Sequence, residues 1–290
     1  MDNNTYAISR YPDVEAVYRQ LETLLLQPPR PVRRDKMQEI LEYFEKKCAR
    51  SKALNDEAMQ IIPGGVQHNL AFNYPFPIAV ERADGAHLWD ADGNQYIDFL
   101  QAGGPTVLGS NYLPVREKVI EMLQSCGPVT GLFHEYELKL AQLVKRFMPA
   151  NEMFRMLGSG TESVMAAIRA ARAYTKRAKI IKVGGAYHGW SDQMVYGLHI
   201  PGSARVKAKG IPARVSAHTQ EFYPNSIAAL KRHLVLNRLA GGTAAVIVEP
   251  LGPESGTRPV PFDFNQKLRE LCDEFGALLI FVGFNLTFFT

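Results

Sequence analysis

The sequence predicts an α/β fold in which a mostly parallel sheet is wound with helices on both faces. Strand-like apolar runs alternate with amphipathic helices through the second half of the chain, an order typical of βαβ units. Two of these runs, 244–248 and 277–281, are apolar at every position, as strands buried on both faces require. With 290 residues, 46% of them hydrophobic, the chain can bury one large domain or two smaller ones.

Three regions follow one another along the chain. Residues 1–50 predict a helical extension, with one helix from Asp13 to Leu26 and a second from about Asp35 to Ala49, separated by prolines that cannot continue a helix. Residues 51–124 predict an antiparallel meander, because Asp-Gly pairs of the kind found in tight hairpins separate three short strand-like runs. Residues 125–290 predict an incomplete large α/β domain.

The α/β region is expected to consist of alternating elements. Its predicted helices and strands are a helix from Glu135 to Phe147 that buries Leu138, Leu140, Ala141 and Val144, a strand at 154–157, a helix after Ser163, a strand at 179–183, a long surface loop at 197–218, a helix from Asn225 or Ser226 to Leu236, a strand at 244–248, a helix from Asp263 to Phe275 and a strand at 277–281. Asp263 and Gln266 form a capping-box pattern, and Gly276 is the expected stop.

Composition and charge exclude several classes of protein. A net charge of +4, dispersed along the chain, does not indicate a nucleic-acid partner. The three cysteines, Cys48, Cys126 and Cys272, have no close pair, so we expect no disulfide frame and no metal site, and each cysteine is interpreted as a small buried residue. No signal peptide and no run of membrane-spanning length is recognised, so a cytoplasmic protein without membrane contact is expected.

The segment 156–163, Met-Leu-Gly-Ser-Gly-Thr-Glu-Ser, predicts a strand that turns at glycines into the start of a helix. Gly158 and Gly160 would let the backbone approach a ligand closely, and Ser159 and Thr161 add hydroxyl groups. Unpaired N–H groups at a helix N-terminus favour a phosphate. An ordinary strand–helix turn with a capping serine accounts for the same residues.

Three polar segments follow predicted strands and are therefore expected at one edge of the sheet. They begin at Gly158, at Ala186 and at Glu249. Ligands of open parallel sheets bind at the carboxyl ends of the strands. The convergence of three segments favours a binding site over a plain turn.

Five segments together resemble the class III aminotransferases, which are pyridoxal-phosphate (PLP) enzymes of fold type I, and in particular the glutamate-1-semialdehyde aminomutase branch. In order, they are Ile-Pro-Gly-Gly-Val at 62–66, Asp-Gly-Asn-Gln-Tyr-Ile-Asp-Phe at 92–99, Gly-Ser-Gly-Thr-Glu at 158–162, Tyr-His-Gly at 187–189, and Val-Glu-Pro at 248–250 with Gly252 following. Their order and approximate spacing match over roughly residues 50 to 281. The helical extension before residue 50 lies outside the usual pattern.

This resemblance implies a cofactor, pyridoxal 5'-phosphate, and a set of binding residues. The turn at Gly158, Ser159, Gly160 and Thr161 would hold the phosphate. Tyr187 would stack on the pyridine ring with His188 beside it, and Glu249 and Glu254 would lie near the edge of the ring. Structural roles also account for the same residues: a core aromatic, a histidine bonded to backbone, and carboxylates that cap a helix or pair with a lysine.

The departures from the family pattern bear on the substrate. Where the aminomutases carry a serine and an arginine that recognise the substrate carboxylate, this chain has His68 and Ala71, and neither offers a forked guanidinium. Gly103 stands where the family has a tryptophan. The resemblance therefore implies transfer of an amino group between some other amine or amino acid and an oxo acid or aldehyde, by an aminotransferase or an aminomutase, within a homodimer.

A second departure concerns catalysis. After the last strand the family continues Asp-Glu-Val, in which the aspartate pairs with the pyridine nitrogen, whereas this chain continues Val282-Gly283. The lysine that forms a Schiff base with the cofactor would lie further downstream, so we expect a truncated chain that contains no catalytic residue and is inactive alone. Lys182, Lys207 and Lys209 lie in segments that the family does not use for this role.

Two alternatives stay open. One is a non-catalytic fragment that binds PLP or phosphate, or that serves dimerisation through its N-terminal helices and meander. The other, ranked below it, is a dinucleotide-binding oxidoreductase, which would also use a glycine turn after a strand. The turn at 158–163 lacks the third glycine of that motif, and no acidic residue follows the strand at 179–183 for a ribose.

Overall fold

A computed structural model describes residues 11–68, 71–126, 131–195, 209–253, 257–283 and 286–289. The chain forms two compact units: residues 1–27 together with 133–290, called here the sheet unit, and residues 28–132, called the meander unit. The two N-terminal helices consequently belong to different units. The domain boundaries expected near residues 50 and 124 stay predictions.

The helices of the described residues are α1 (Val14–Leu25), α2 (Arg34–Lys47), α3 (Ala49–Ala58), α4 (Leu113–Cys126), α5 (Glu135–Phe147), α6 (Gly160–Thr175), α7 (Asp192–Val195), α8 (Ala213–Ser216), α9 (Ile227–Arg238) and α10 (Phe264–Phe275). The strands are β1 (Val80–Asp84), β2 (His87–Asp90), β3 (Gln95–Ile97), β4 (Lys179–Val183), β5 (Thr219–Phe222), β6 (Thr243–Val248), β7 (Leu278–Gly283) and β8 (Leu286–Phe289).

The sheet unit is built on a five-stranded sheet in the order β5-β4-β6-β7-β8. The first four strands pair in parallel, and β8 runs antiparallel to β7. Helix α6 packs on one face, whereas α9 and α10 contribute to the core of the other face. The predicted α/β class, with a mostly parallel sheet and helices on both faces, is confirmed.

The core of the sheet unit lies on both sides of the central strands. All residues of β6 are buried, which explains why its sequence is apolar at almost every position rather than alternating. Towards α6, β6 presents Ala245 and Ile247; towards α9 and α10 it presents Val246 and Val248. The sheet therefore separates two apolar layers.

Local sequence determines where several helices begin and end. Ser159 and Ser226 are N-caps whose hydroxyl groups accept backbone N–H bonds, and Gly276 ends α10 in the left-handed conformation, as expected. The capping box predicted for α10 is wrong. Asp263 caps no backbone N–H and pairs with Lys267 one turn further on instead.

The strand predicted at 154–157 is also wrong. A strand needs a neighbour for its backbone groups, and among the described residues none of the five sheet strands pairs with this segment. Met156 is 70% exposed. Strand β5, which lies just beyond the predicted surface loop, was not anticipated, because its Thr-Gln-Glu-Phe sequence carries little apolar signal. The part of that loop at 197–208 lies outside the described residues.

Helix α5 has the predicted bounds but not the predicted burial. Its sequence is amphipathic, yet no residue of the helix is buried, and Leu138 is 52% exposed. Periodicity therefore identified the helix correctly, although the apolar face is not covered by other described residues. Cys126 is a similar case, since it is exposed whereas Cys48 and Cys272 are buried as expected.

The meander unit contains the predicted antiparallel strands, in the order β1-β2-β3. The Asp-Gly-Asn turn between β2 and β3 organises the neighbouring helix as well. Asp92 accepts the backbone N–H groups of Arg50 and Ser51 at the start of α3. Asp90 is 1% exposed and accepts bonds from Tyr96 and Asn94. The motif at 92–99 thus ties the hairpin to α3.

Helix α1 is attached to the segment that precedes α10. The hydroxyl of Tyr11 donates to the carbonyl of Val260 at 2.7 Å. The hydroxyl of Tyr18 donates to the carbonyl of Pro259 at 3.4 Å and accepts from the amide of Asn225 at 2.7 Å. These bonds join residues that are far apart in the sequence.

The described ranges lack two kinds of feature. None of the described helices combines the length and the apolar character that a membrane crossing demands. Within the same ranges, no group of three or more histidine, cysteine, aspartate or glutamate side chains is arranged to hold a metal ion.

Candidate functional site

The N-terminus of α6 is formed by the predicted turn. Ser159, the N-cap, accepts the backbone N–H of Glu162 at 3.2 Å, and its hydroxyl donates to the Glu162 carboxylate at 3.0 Å. The N–H groups of Gly160 and Thr161 have no hydrogen-bond acceptor among the described residues. A Cβ placed on Gly160 would meet no atom within 4 Å, so space is open beside these donors.

The loop that follows β4 lies directly against this helix terminus. The backbone N–H of Trp190 donates to the Thr161 hydroxyl at 3.1 Å. Gly189 has φ +95, and a Cβ there would stand 2.8 Å from the Cα of Thr161, so no larger residue fits without displacement. The structure therefore brings the predicted Tyr187–His188–Gly189 segment next to the predicted Ser159–Thr161 turn.

Tyr187 and His188 differ in their surroundings. Tyr187 is 49% exposed, so its ring is available to a ligand rather than packed in a core. His188 is 1% exposed, and neither ring nitrogen has a partner among the described residues. Burial, aided by the charge of Lys182, lowers the pKa of His188 to about 3, so the imidazole is neutral.

Lys182 explains part of this electrostatic environment and was not predicted as a site residue. It lies in β4, is fully buried, and its Nζ donates to the carbonyl of Met194 at 2.9 Å. Lysine is almost never fully buried in proteins, so its position within an apolar strand is the signal that sequence reasoning could have used. Trp190 and Glu162 were likewise not anticipated as parts of the site.

Glu249 lies where the sequence placed it, at the carboxyl end of β6. Strand β6 is adjacent to β4, so Glu249 and the Tyr187 loop follow neighbouring strands at one edge of the sheet. The backbone N–H of Gly252 donates to the Glu249 carbonyl at 3.0 Å and starts a tight loop. Glu254 lies outside the described residues.

Fold and site together define a class: doubly wound α/β proteins with polar loops at the carboxyl ends of the strands and an open helix N-terminus of the kind that suits an anion. The comparison with protein families is specific. A family model described as aminotransferase class III matches residues 70–282. The chain belongs to the class III aminotransferase family. This match favours the aminotransferase interpretation of the glycine turn over the dinucleotide-binding one.

Solved structures agree with this assignment. An omega-transaminase from Sphaerobacter thermophilus is 31% identical with a TM-score of 0.76, and the match covers 82% of this chain and 56% of that one. A transaminase with PLP bound is 32% identical with a TM-score of 0.73, covering 80% of this chain and 54% of that one.

A third structure is similar in fold. A glutamate-1-semialdehyde aminomutase from Pseudomonas aeruginosa PAO1 is 24% identical with a TM-score of 0.73, and the match covers 84% of this chain and 53% of that one. The chain thus spans about half the length of the solved structures that it matches.

The residues present fit a phosphorylated ring. The free N–H groups at the start of α6 and the open space beside Gly160 suit a phosphate. The half-exposed ring of Tyr187, held next to that terminus through Gly189 and Trp190, suits an aromatic face. The Glu162 carboxylate is already engaged with Ser159, so the two N–H donors ahead of it stay available.

Proposed function

We propose that this chain carries the cofactor-binding part of a PLP-dependent enzyme that transfers an amino group between an amine or amino acid and an oxo acid or aldehyde. Family membership and the similar transaminase with PLP bound support the cofactor. The observation that carries the proposal is the packing of the Tyr187 loop against the open N-terminus of α6.

Each residue has a proposed part in binding. The N–H groups of Gly160 and Thr161 hold the phosphate, Tyr187 covers one face of the ring, and Glu249 lies towards the ring edge. When bound, the cofactor supplies an electron-withdrawing ring that stabilises negative charge next to the reacting nitrogen. Neutral, buried His188 adds no charge behind the ring.

A charge substitution at Gly160 tests the phosphate site. Gly160→Asp adds a carboxylate in open space at the first turn of α6, where it stabilises the helix by about 0.3–1 kcal/mol but repels a phosphate. We expect PLP to bind at least about tenfold more weakly, measured by absorbance titration, while the melting temperature is unchanged or higher.

Gly160→Ala is the matched control, because it adds the same Cβ without the charge. It should retain most of the affinity for PLP. If Gly160→Asp binds PLP as the parent does, the phosphate lies elsewhere and the site assignment is wrong.

A second experiment asks whether any lysine of this chain bonds covalently to the cofactor. Lys182 lies in the strand that leads into the Tyr187 loop, and it is buried and bonded to Met194. We therefore expect that borohydride reduction in the presence of PLP labels no lysine stoichiometrically, as mapped by mass spectrometry. A single fully labelled lysine, together with transamination of a donor, would show that this chain is catalytic on its own.

The same proposal includes a homodimer, taken from the family resemblance, and a cytoplasmic location, taken from the sequence-based expectation. Light scattering of the purified chain tests the first, and fractionation of the cells that make it tests the second. The identity of the amino donor is tested by screening amines and amino acids with a complete enzyme of the family that contains these residues.

A further inference from the structure

We propose that Lys182 is a positioning residue: its buried ammonium group closes the loop that carries Tyr187 and His188 and so sets the place of the ring-binding face. This inference rests on the proposed function, because the loop is a binding element only if a ring lies against Tyr187. Lys182 itself contacts no ligand in this proposal.

The hydrogen bond from Lys182 joins the two ends of the loop. Lys182 is the next-to-last residue of β4, and its partner, the carbonyl of Met194, belongs to α7. The bond length is 2.9 Å, and the two residues are 12 apart in the sequence. Tyr187 and His188 lie between them, so this bond limits how far the loop can open.

Two further bonds hold the loop, one on each side of Tyr187 and His188. The N–H of Gly184 donates to the carbonyl of Phe222 in β5 at 2.9 Å, and the N–H of Trp190 donates to Thr161. Both donors are backbone groups that any residue except proline supplies. Lys182 provides a side-chain bond, which a substitution can remove without altering the backbone; Arg172 provides another at the same end of the loop, donating to Gln193 at 2.9 Å.

The free-energy cost of burying the Lys182 ammonium group indicates that this group has a specific structural role. Its flanking residues in β4, Ile181 and Val183, are apolar and buried, and an apolar residue at 182 would avoid the desolvation cost of a buried charge. A buried charge is tolerated when it is hydrogen-bonded, and this one is bonded to the end of the ligand-facing loop.

Substitution at Lys182 tests the proposal. Lys182→Met keeps the length and apolar stem but removes the donor, and a hydrogen bond to a charged group contributes about 1.5–3 kcal/mol, or about tenfold or more in the opening equilibrium. We expect hydrogen exchange of residues 184–190 to accelerate by that factor in the ligand-free protein. Lys179→Met, at the other end of β4, is the matched control and should leave loop exchange unchanged.

Ligand binding supplies a readout that general destabilisation would not move in the same way. PLP should bind about tenfold more weakly to Lys182→Met, whereas inorganic phosphate, which needs only the α6 terminus, should bind as before. Lys182→Arg, which retains a cationic donor, should restore part of the PLP affinity. Equal losses for PLP and phosphate, or unchanged loop exchange, would overturn the proposal.

A measurement on the unsubstituted chain covers the case in which Lys182→Met does not fold. A lysine ammonium held in a buried hydrogen bond gives a slowly exchanging nitrogen-15 resonance, and none from Lys182 would mean that the bond is absent. Loop exchange is measured without ligand, so it decides the role of Lys182 even if no PLP binds. If no PLP binds, the proposed function fails, whereas the role of Lys182 in closing the loop is still decided.

Discussion

At the scale of single residues, His188 shows how buried groups determine the charge around a candidate site. Its ring is enclosed, its two nitrogens have no partner among the described residues, and Lys182 contributes a positive potential. Burial of a histidine without a partner disfavours the imidazolium form. The consequence is a loop whose stability depends on the protonation of one side chain.

This dependence gives a prediction for pH. The pKa of His188 lies at about 3 in the folded chain against 6.5 as the ordinary value, so the unfolded state binds more protons between these values. Stability is therefore fully present above pH 6.5 and is lost as pH falls towards 3, by up to about 1.4 kcal/mol per pH unit. His188→Gln should flatten this slope in urea unfolding curves.

His233 offers the control for that experiment. Its pKa is also lowered, chiefly by burial, but the residue is only half-buried and carries a backbone hydrogen bond that favours its charged form. His233→Gln should therefore change the slope less than His188→Gln. A parent protein whose stability is constant between pH 6.5 and 4.5 would contradict the assignment of a buried neutral His188.

The position of Tyr187 beside the Ser159–Thr161 turn followed from its motif, but the burial of His188 did not. The motif places both residues after a strand, yet which of two consecutive side chains points into the protein depends on the loop geometry. Here that geometry includes the positive φ of Gly189 and the bond from Lys182 to Met194, both of which involve residues brought together only by folding.

At the scale of elements, helix α1 belongs to the sheet unit but lies outside the region matched to the family. Tyr18 within the helix donates to the carbonyl of Pro259, and Tyr11, just before the helix, donates to that of Val260. The neighbouring carbonyl of Arg258 would stand 2.0 Å from a Cβ on Gly252. The segment around Arg258 therefore packs closely on the turn that follows Glu249. α1 thereby supports the loop at the carboxyl end of β6.

Removing the tyrosine hydroxyls should loosen that loop. Tyr11→Phe combined with Tyr18→Phe eliminates bonds that contribute about 0.5–1.5 kcal/mol each, and it leaves the Asn225 side chain with Pro259 alone. Hydrogen exchange of residues 257–262 should accelerate several-fold, while that of β6 stays slow. Tyr174→Phe, at a tyrosine that is 80% exposed, is the control and should have no effect.

Helices were predictable to within a few residues, whereas two sheet features were not. Periodicity and end signals located α1, α5 and α9, because these depend on residues close in sequence. The segment 154–157 is apolar enough for a strand but does not form one. The sequence of β5 is polar, yet it forms a strand because β4 offers an edge to pair with. Pairing is decided by neighbours that are remote in the chain.

At the scale of the whole molecule, the sheet unit depends on a few strands buried on both sides. Ile247 in β6 is fully buried and lies in the cluster formed with α6, opposite Lys182 in the register of β4. Loss of side-chain volume here leaves a cavity that neither layer can easily fill. The stability of the unit should therefore respond in proportion to the volume removed.

A graded series at Ile247 checks this expectation. Ile247→Val should cost about 0.5–1.5 kcal/mol and Ile247→Ala about 2–5 kcal/mol of unfolding free energy. Urea unfolding followed by circular dichroism is the measurement, with Val235→Ala, at a 45% exposed position on α9, as the control. If Ile247→Ala cost no more than the control, the assigned core would be wrong.

The strand order has a consequence for how the chain acquires its structure during synthesis. β4 pairs on one side with β5 and on the other with β6, which is translated later. The other edge of β6 pairs with β7, which is translated later still. Until Thr243–Val248 leaves the ribosome, β4 exposes one hydrogen-bonding edge. Such non-local pairing slows folding and favours misassociation, so a cooler expression temperature should increase the yield of native protein.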